Sequence, residues 1–324
     1  PIRQQFTKGV KMNKAIIAID KSRSFRVYLT ITTEMVEEAR RIHRTTPLAT
    51  AALGRVLTGA GLMGLQLKND EDKLTIQFKG DGPAVEILVT ASGAGCVKGY
   101  ISNPDVELPL KDNGKLDVGG AIGAGTLTVI KDLGWRDPYV GKIELVSGEI
   151  GEDLAAYFFL SEQQSTSVAL GVKINRDYST LAAGGMIIQM LPEAKAEAVD
   201  ALEKLVGQML PITSLIEEET IRSAGKTEEA VLDGLLARIF RQLPEEFAVG
   251  RLEFRDLQWN CDCSAERLEQ VVISIGSQDL QEIIEEDGQA ELVCQFCGSK
   301  YMFDKTHLER LLAESKEKEG LNVC

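Results

Sequence analysis

Residues 258–303 read QWNCDCSAERLEQVVISIGSQDLQEIIEEDGQAELVCQFCGSKYMF. The stretch carries two cysteine doublets, Cys261 and Cys263 as C-x-C, then Cys294 and Cys297 as C-x-x-C, in a chain of 324 residues with only six cysteines. Thiolates are soft ligands, and four of them close a tetrahedral shell around zinc without water or a fifth group. A closed shell implies a structural ion, one Zn2+ per chain, rather than a catalytic one. Doublets this tight are poor spacing for four independent core positions, and the gap between them suits two knuckles facing one ion. A permanent disulfide pair is disfavoured because no secretory signal is legible and such spacing in a reducing compartment reads as metal or redox chemistry.

Around the doublets the pattern is that of a small, metal-dependent fold. Ser264 to Val272 and Ser277 to Glu286 read as two short helices, each opened by a serine suited to capping and followed by acids. Asp287-Gly288 turns into a strand over Glu291 to Cys294, and a final amphipathic helix runs into a charged tail. Phe296, Tyr301 and Phe303 add little apolar filling. About 55 residues with so small a core need the metal to stay folded.

Working outward, Met12 to Pro192 mixes strands and helices. Ser24 to Ile31 alternates and is rich in β-formers. Thr33 opens a helical run with acids early and Arg40, Arg41 and His43 late, which matches the helix dipole. Pro47 to Leu67 reads as a buried helix whose small residues permit close packing. Strands are expected over 74–78, 85–90, 97–101, 127–131 and 139–145, separated by turn residues. Many strands with few helices between them predict an α+β fold with a mixed-sheet N-terminal domain and packed helices, not a doubly wound parallel sheet. Apolar stripes from Val199 to Leu210 and from Val231 to Leu243 predict helices, although Gly207 and Gly234 lie inside them. The expected division is an upstream extension or cloning remnant at 1–11, an α+β core at 12–192, a helical linker at 193–256 and a small C-terminal zinc-binding module with a charged tail at 257–324.

The chain carries a net charge of −13, and from Gln258 onward 14 acidic residues face 6 basic ones. Modules that grip nucleic acid present a basic face to phosphates, so an acidic module argues against that partner. The longest uncharged apolar stretch, Ser179 to Pro192, is too short to span a bilayer and is broken by Gly184 and Gly185. These features point to a cytoplasmic protein with no membrane partner.

Nothing in the chain reads as catalytic. FKGDGP at Phe78 to Pro83 lacks the Lys-Ser/Thr of a phosphate-cradling loop and reads as a tight turn. Glu149, Glu152 and Asp153 cluster in SGEIGED and read as acids decorating a helix start. His43 and His307 have no nucleophile near them in sequence, and His307 is surplus to a shell already closed by four thiolates.

FKGDGP, KGY at Lys98 to Tyr100, GTLTVIKDLG at Gly125 to Gly134, SGEIGEDLAAYFFLSEQ at Ser147 to Gln163 and AAGGMIIQMLP at Ala182 to Pro192 stand in order ahead of C-x-C and C-x-x-C. This combination resembles the 33 kDa chaperonin family, the redox-regulated heat-shock holdases, from about Met12 to Leu312. Lys98 stands where that family commonly has Arg, and neither the residues before Met12 nor Cys324 is a family feature. The resemblance implies a reduced, zinc-bound, inactive form. Oxidation to Cys261–Cys263 and Cys294–Cys297 disulfides then releases zinc, unfolds the module and loosens the linker. Apolar surface so exposed captures unfolding client proteins without ATP, and the active form is a homodimer. Disulfides within the doublets close tiny loops and leave no link across the gap, so they cannot replace a metal contribution of roughly 10 kcal/mol. The stripes at 199–210 and 231–243 are the expected hidden surface. Two other readings exist: a zinc-ribbon nucleic-acid factor, and an enzyme sited in the first section with zinc as a remote staple. Cys96 is expected to be a bystander, and Cys324 an exposed terminal thiol.

Overall fold

The computed structural model describes residues 13–321; the extension expected at 1–11 and Cys324 lie outside them. The chain divides between Asn260 and Cys261 into two compact units, each with its own core.

In the first unit β1 (Asn13–Asp20) and β2 (Phe25–Ile31) lead into α1 (Thr33–His43) and α2 (Pro47–Gly64). β3 (Lys73–Gly80), β4 (Glu86–Ser92), β5 (Cys96–Ile101), a short α3 (Val118–Ile122), β6 (Gly125–Asp132) and β7 (Tyr139–Glu144) follow. Then come α4 (Gly151–Glu162), β8 (Thr166–Ile174), β9 (Thr180–Met190), α5 (Ala196–Gln208), α6 (Ile212–Arg222), α7 (Glu228–Phe240) and β10 (Val249–Trp259). Ten strands form one mixed sheet in the order β7-β6-β3-β4-β5-β10-β1-β2-β9-β8. Every pairing is antiparallel except β5 with β10, which share the parallel register Gln258↔Cys96 and Trp259↔Val97. The expected α+β character holds, and the predicted strands fall on β2 through β7.

Helix α2 is the centre of this unit. Thr46 caps it by accepting the Ala49 N–H, Pro47 occupies its first turn, and almost every residue is buried. It packs on β3, β4, β5, β8 and β9 and on α1, α3 and α4. Small residues make this contact possible: a Cβ on Gly59 would come within 2.7 Å of Leu154 Cδ1. Helix α4 packs on both β7 and β8, the terminal strands of the sheet order, so the sheet curls round α2.

A second apolar cluster lies where α5, α6 and α7 cover β1, β2 and β9. Leu202, Leu205, Leu235, Leu236, Ile239 and Phe240 are buried there, the Phe240 ring stacking 6.3 Å from Phe25. Both predicted stripes contribute, although Leu210 is past the end of α5 and exposed. The segment read as helical linker, 193–256, differs in its last part, because Val249 onward is β10, paired with β1 from Asn13↔Leu257 to Asp20↔Val249. Alternation in VGRLEFRDLQW is weak, and its main partner lies more than two hundred residues away, so no local signal marks it as a sheet strand. Open space surrounds Gly207, and nothing in the structure explains it.

The second unit holds α8 (Ala265–Ser274), α9 (Ser277–Glu286), the hairpin β11 (Gln289–Val293) and β12 (Lys300–Asp304), and α10 (Lys305–Leu321). Its core is small: Val272, Ile273, Leu280, Ile284, Phe303, Leu308 and Leu311. Ser264 caps α8 as expected, accepting the Arg267 N–H, but Gly276 with a φ of 105° precedes α9 and Ser277 is already inside it.

Candidate metal centre

The first doublet lies in extended chain just before α8. Between its cysteines, Asp262 is clamped by Arg267, whose Nη1 pairs with the carboxylate and donates to the Asp262 carbonyl at 3.1 Å. Helix α8 thereby holds the backbone that carries Cys261 and Cys263.

The second doublet forms the tip of the β11–β12 hairpin. Cys294 N–H donates to the Ser299 carbonyl at 2.9 Å, and Gly298 N–H donates to the Cys294 carbonyl at 2.8 Å. Gly298 closes the knuckle at a φ of 69°, a left-handed conformation that costs glycine nothing.

These two supports bring the four sulfurs together, all within 4.8 Å of one another. Cys261 and Cys294 Sγ are 3.7 Å apart, and Cys263 and Cys297 Sγ are 3.4 Å apart. A tetrahedron with metal–sulfur bonds of about 2.3 Å separates its sulfurs by about 3.8 Å. Cys294 is buried and the other three are half-buried. An all-sulfur, closed donor set of these dimensions fits zinc in a structural role.

Electrostatics leads the same way. Burial and like charge disfavour several thiolates in one small volume. Hydrogen bonds from the Cys261 thiol, then from the Ser299 hydroxyl and backbone N–H, hold Cys297 down to about 4. Cys261 is pushed up by its bond to Cys297 and by burial, and Cys263 is pushed up chiefly by burial. A divalent cation would offset the like charge and let all four ionise together.

Tyr301 adds a partner that sequence reading had counted only as apolar filling. Its hydroxyl lies 3.1 Å from Cys263 Sγ and 3.2 Å from the Cys263 carbonyl oxygen, and donates to this pair. Such outer partners orient a thiolate and tune its donor strength. The sequence signal was slender: Tyr301 follows the C-x-x-C knuckle by four residues, at the start of the returning strand.

The other polar candidates lie elsewhere. His307 Nε2 is 2.9 Å from Glu269 Oε1, and its ring packs edge-on against Phe303. His43 Nε2 faces the Gly99 carbonyl in the first unit. Among the described residues the acids of SGEIGED do not converge into a group that could hold a metal ion. Asp153 is buried and accepts backbone N–H groups of Val146, Ser147 and Gly148 on Oδ1 and of Ile150 on Oδ2. It therefore fastens the loop before α4, a role more specific than decorating a helix start. Glu149 pairs with Arg55 at 2.6 Å and with Lys111. In FKGDGP, Asp81 accepts the Ala124 N–H and Gly80 packs against the Ile122 carbonyl, so this segment turns between β3 and β4. Cys96 Sγ receives two amide N–H groups at 3.4 Å, from Gln258 and Asn260.

Among the described residues no helix is long and apolar enough to cross a membrane. A family model described as Hsp33 protein matches residues 13–304. The chain is 47% identical over 303 residues to the 33 kDa chaperonin of Alkaliphilus oremlandii, covering 93% of this chain and 97% of the relative. It is 43% identical over 305 residues to the 33 kDa chaperonin of Bacillus velezensis, covering 94% and 99%. Its structure is similar to the crystal structure of the 33 kDa chaperonin of Thermotoga maritima, with a TM-score of 0.81, 33% identity, and 94% of this chain and 99% of that one aligned.

Proposed function

This chain belongs to the Hsp33 protein family, and from that premise we propose that it is a redox-regulated, ATP-independent chaperone of the holdase type. The observation that carries the reading is the convergence of Cys261, Cys263, Cys294 and Cys297 from two separate supports onto one small volume. These four residues are the proposed ligands of one zinc ion and also the redox centre. Zinc, when bound, supplies a crosslink between the α8 start and the hairpin tip and stabilises four thiolates together.

Oxidation removes the ligands. Within each doublet two thiols lose two protons and two electrons, and a sulfur–sulfur bond forms; hydrogen peroxide takes up the electrons and protons and leaves as water. Sulfurs within 4.8 Å of one another also allow pairing across the doublets. Only Cys261–Cys263 and Cys294–Cys297 pairing leaves the α8 start and the hairpin tip untied, so the mechanism requires that pairing. With the tie gone, the seven buried apolar side chains found among the described residues of the second unit are too few to hold it folded.

The chain then connects this event to the linker. β10 runs into Cys261 within two residues, and α7 packs on β10, β1 and β2. Loosening of this segment would bare the apolar faces of α5–α7 and the sheet face of Phe25, Val27, Leu29 and Ile188, and so create a surface for unfolding client proteins. The active form is proposed to be a cytoplasmic homodimer. The acid excess of the cysteine unit supports a protein client over nucleic acid.

The test follows light scattering of a heat-unfolding protein, with this chain added reduced and zinc-loaded or pre-oxidised with peroxide under mild heat. Zinc release and disulfide mapping are read on the same samples. The expected result is suppression of aggregation by the oxidised form alone, with zinc lost and both disulfides inside the doublets. Zinc loss with no gain of protection, or disulfides joining Cys261 to Cys294 and Cys263 to Cys297, would overturn the mechanism.

A further inference from the structure

Glu219 is a buried acid in the last turn of α6, with only 2% of its surface exposed. The Ser223 hydroxyl donates to Oε1 at 3.0 Å, while Oε2 is buried without a hydrogen bond. Among the described residues its cationic partner is Arg222, which stays 3.6 Å from Oε2 with most of its side chain in solvent. An acid at this end of a helix also meets the negative end of the helix dipole. Each feature disfavours the packed state, because a carboxylate taken from water recovers its hydration only through good pairing and full hydrogen bonding.

The facing helix is shaped to admit this carboxylate. A Cβ on Gly234 of α7 would stand 2.4 Å from Glu219 Oε1, so any side chain there would force the Glu219 carboxylate to shift. Glycine inside a helix is itself less favourable than alanine. Two unfavourable choices therefore coincide at one point of the α6–α7 pair, in the layer that covers β1, β2 and β9.

We propose that Glu219 and Gly234 form a built-in weak joint that sets how readily α6 and α7 leave the sheet, and so the threshold of activation. The proposal rests on the redox-chaperone reading for its consequence, but the joint is a property of the folded chain and is measurable without it. Replacing Glu219 by glutamine or methionine removes the buried, half-satisfied carboxyl group and keeps the volume. Helices α6 and α7 then hold more firmly, while the cysteine unit and its metal are untouched.

The experiment is amide hydrogen exchange on the full-length, reduced, zinc-loaded protein, comparing the parent with Glu219→Gln and Glu219→Met. Protection of residues 212–240 is expected to rise at least tenfold, with zinc content unchanged, and the lag before peroxide-induced holding to lengthen. Gly234→Ala is expected to lower protection in the parent and to raise it in a Glu219→Ala background, where the clash is gone and only the better helix propensity counts. Unchanged or lower protection in both Glu219 variants, or the same sign for Gly234→Ala in both backgrounds, would overturn the joint. Greater protection with an unaltered lag would overturn its regulatory role. A parent protein that never gains holding activity would refute the chaperone reading instead, and exchange would still report on the joint.

Discussion

Helix α2 hides sixteen of its eighteen residues, whereas α8 hides two of its ten. The first sits inside a curled ten-stranded sheet, locked by aliphatic contacts that no change of redox state alters. The second belongs to a unit whose buried apolar cluster is seven side chains among the described residues, beside four cysteines that could hold a metal ion. Packing supplies stability unconditionally. Sulfur ligation supplies it only while the sulfur is reduced, and that conditional stability is what a switch needs.

The largest effect is expected from removing the proposed metal. A chelator on reduced protein is expected to unfold residues 261–321 and leave the sheet of the first unit intact, a loss of roughly 10 kcal/mol confined to one unit. Hydrogen exchange resolved by region checks this, and a sheet that loses protection to the same degree would show that the units are not separable. Leu53→Ala, at a 1% exposed position in α2, is the converse. It is expected to cost about 2–5 kcal/mol in the first unit, read by denaturant unfolding, with zinc affinity unchanged.

Smaller effects probe how each unit is tuned. Tyr301→Phe keeps the ring but deletes the hydroxyl that reaches Cys263 Sγ. Zinc affinity is expected to fall about 10–100-fold in competition with a chromogenic chelator. In the first unit, burial alone would raise Glu149, but the bonds from Lys111 and Arg55 outweigh it and hold the carboxyl below its usual range. A depressed folded value stabilises above the unfolded value of about 4.3 and is lost as pH falls through the folded one. Glu149→Gln is therefore expected to cost about 1 kcal/mol at pH 7, with the difference from the parent vanishing under acid unfolding.

Features written into a few consecutive residues could be read before the chain folds. C-x-C and C-x-x-C specify two knuckles, alternation marks β2, turn residues set off β3 through β7, and the small residues of 47–67 announce a buried helix that can pack closely. These signals persist because a side chain's period and a ligand's spacing belong to a few consecutive residues. Features that depend on distant partners arise only in the folded chain. β10 is a strand because β1 offers it a register, and Asp153 is a loop fastener because four N–H groups converge on it. Tyr301 reaches Cys263 only after the hairpin folds back, and Gly234 makes sense only against Glu219 of another helix. A hydrogen bond or a close approach between segments far apart in the chain leaves no periodic trace in either one, so it exists only once the chain has folded.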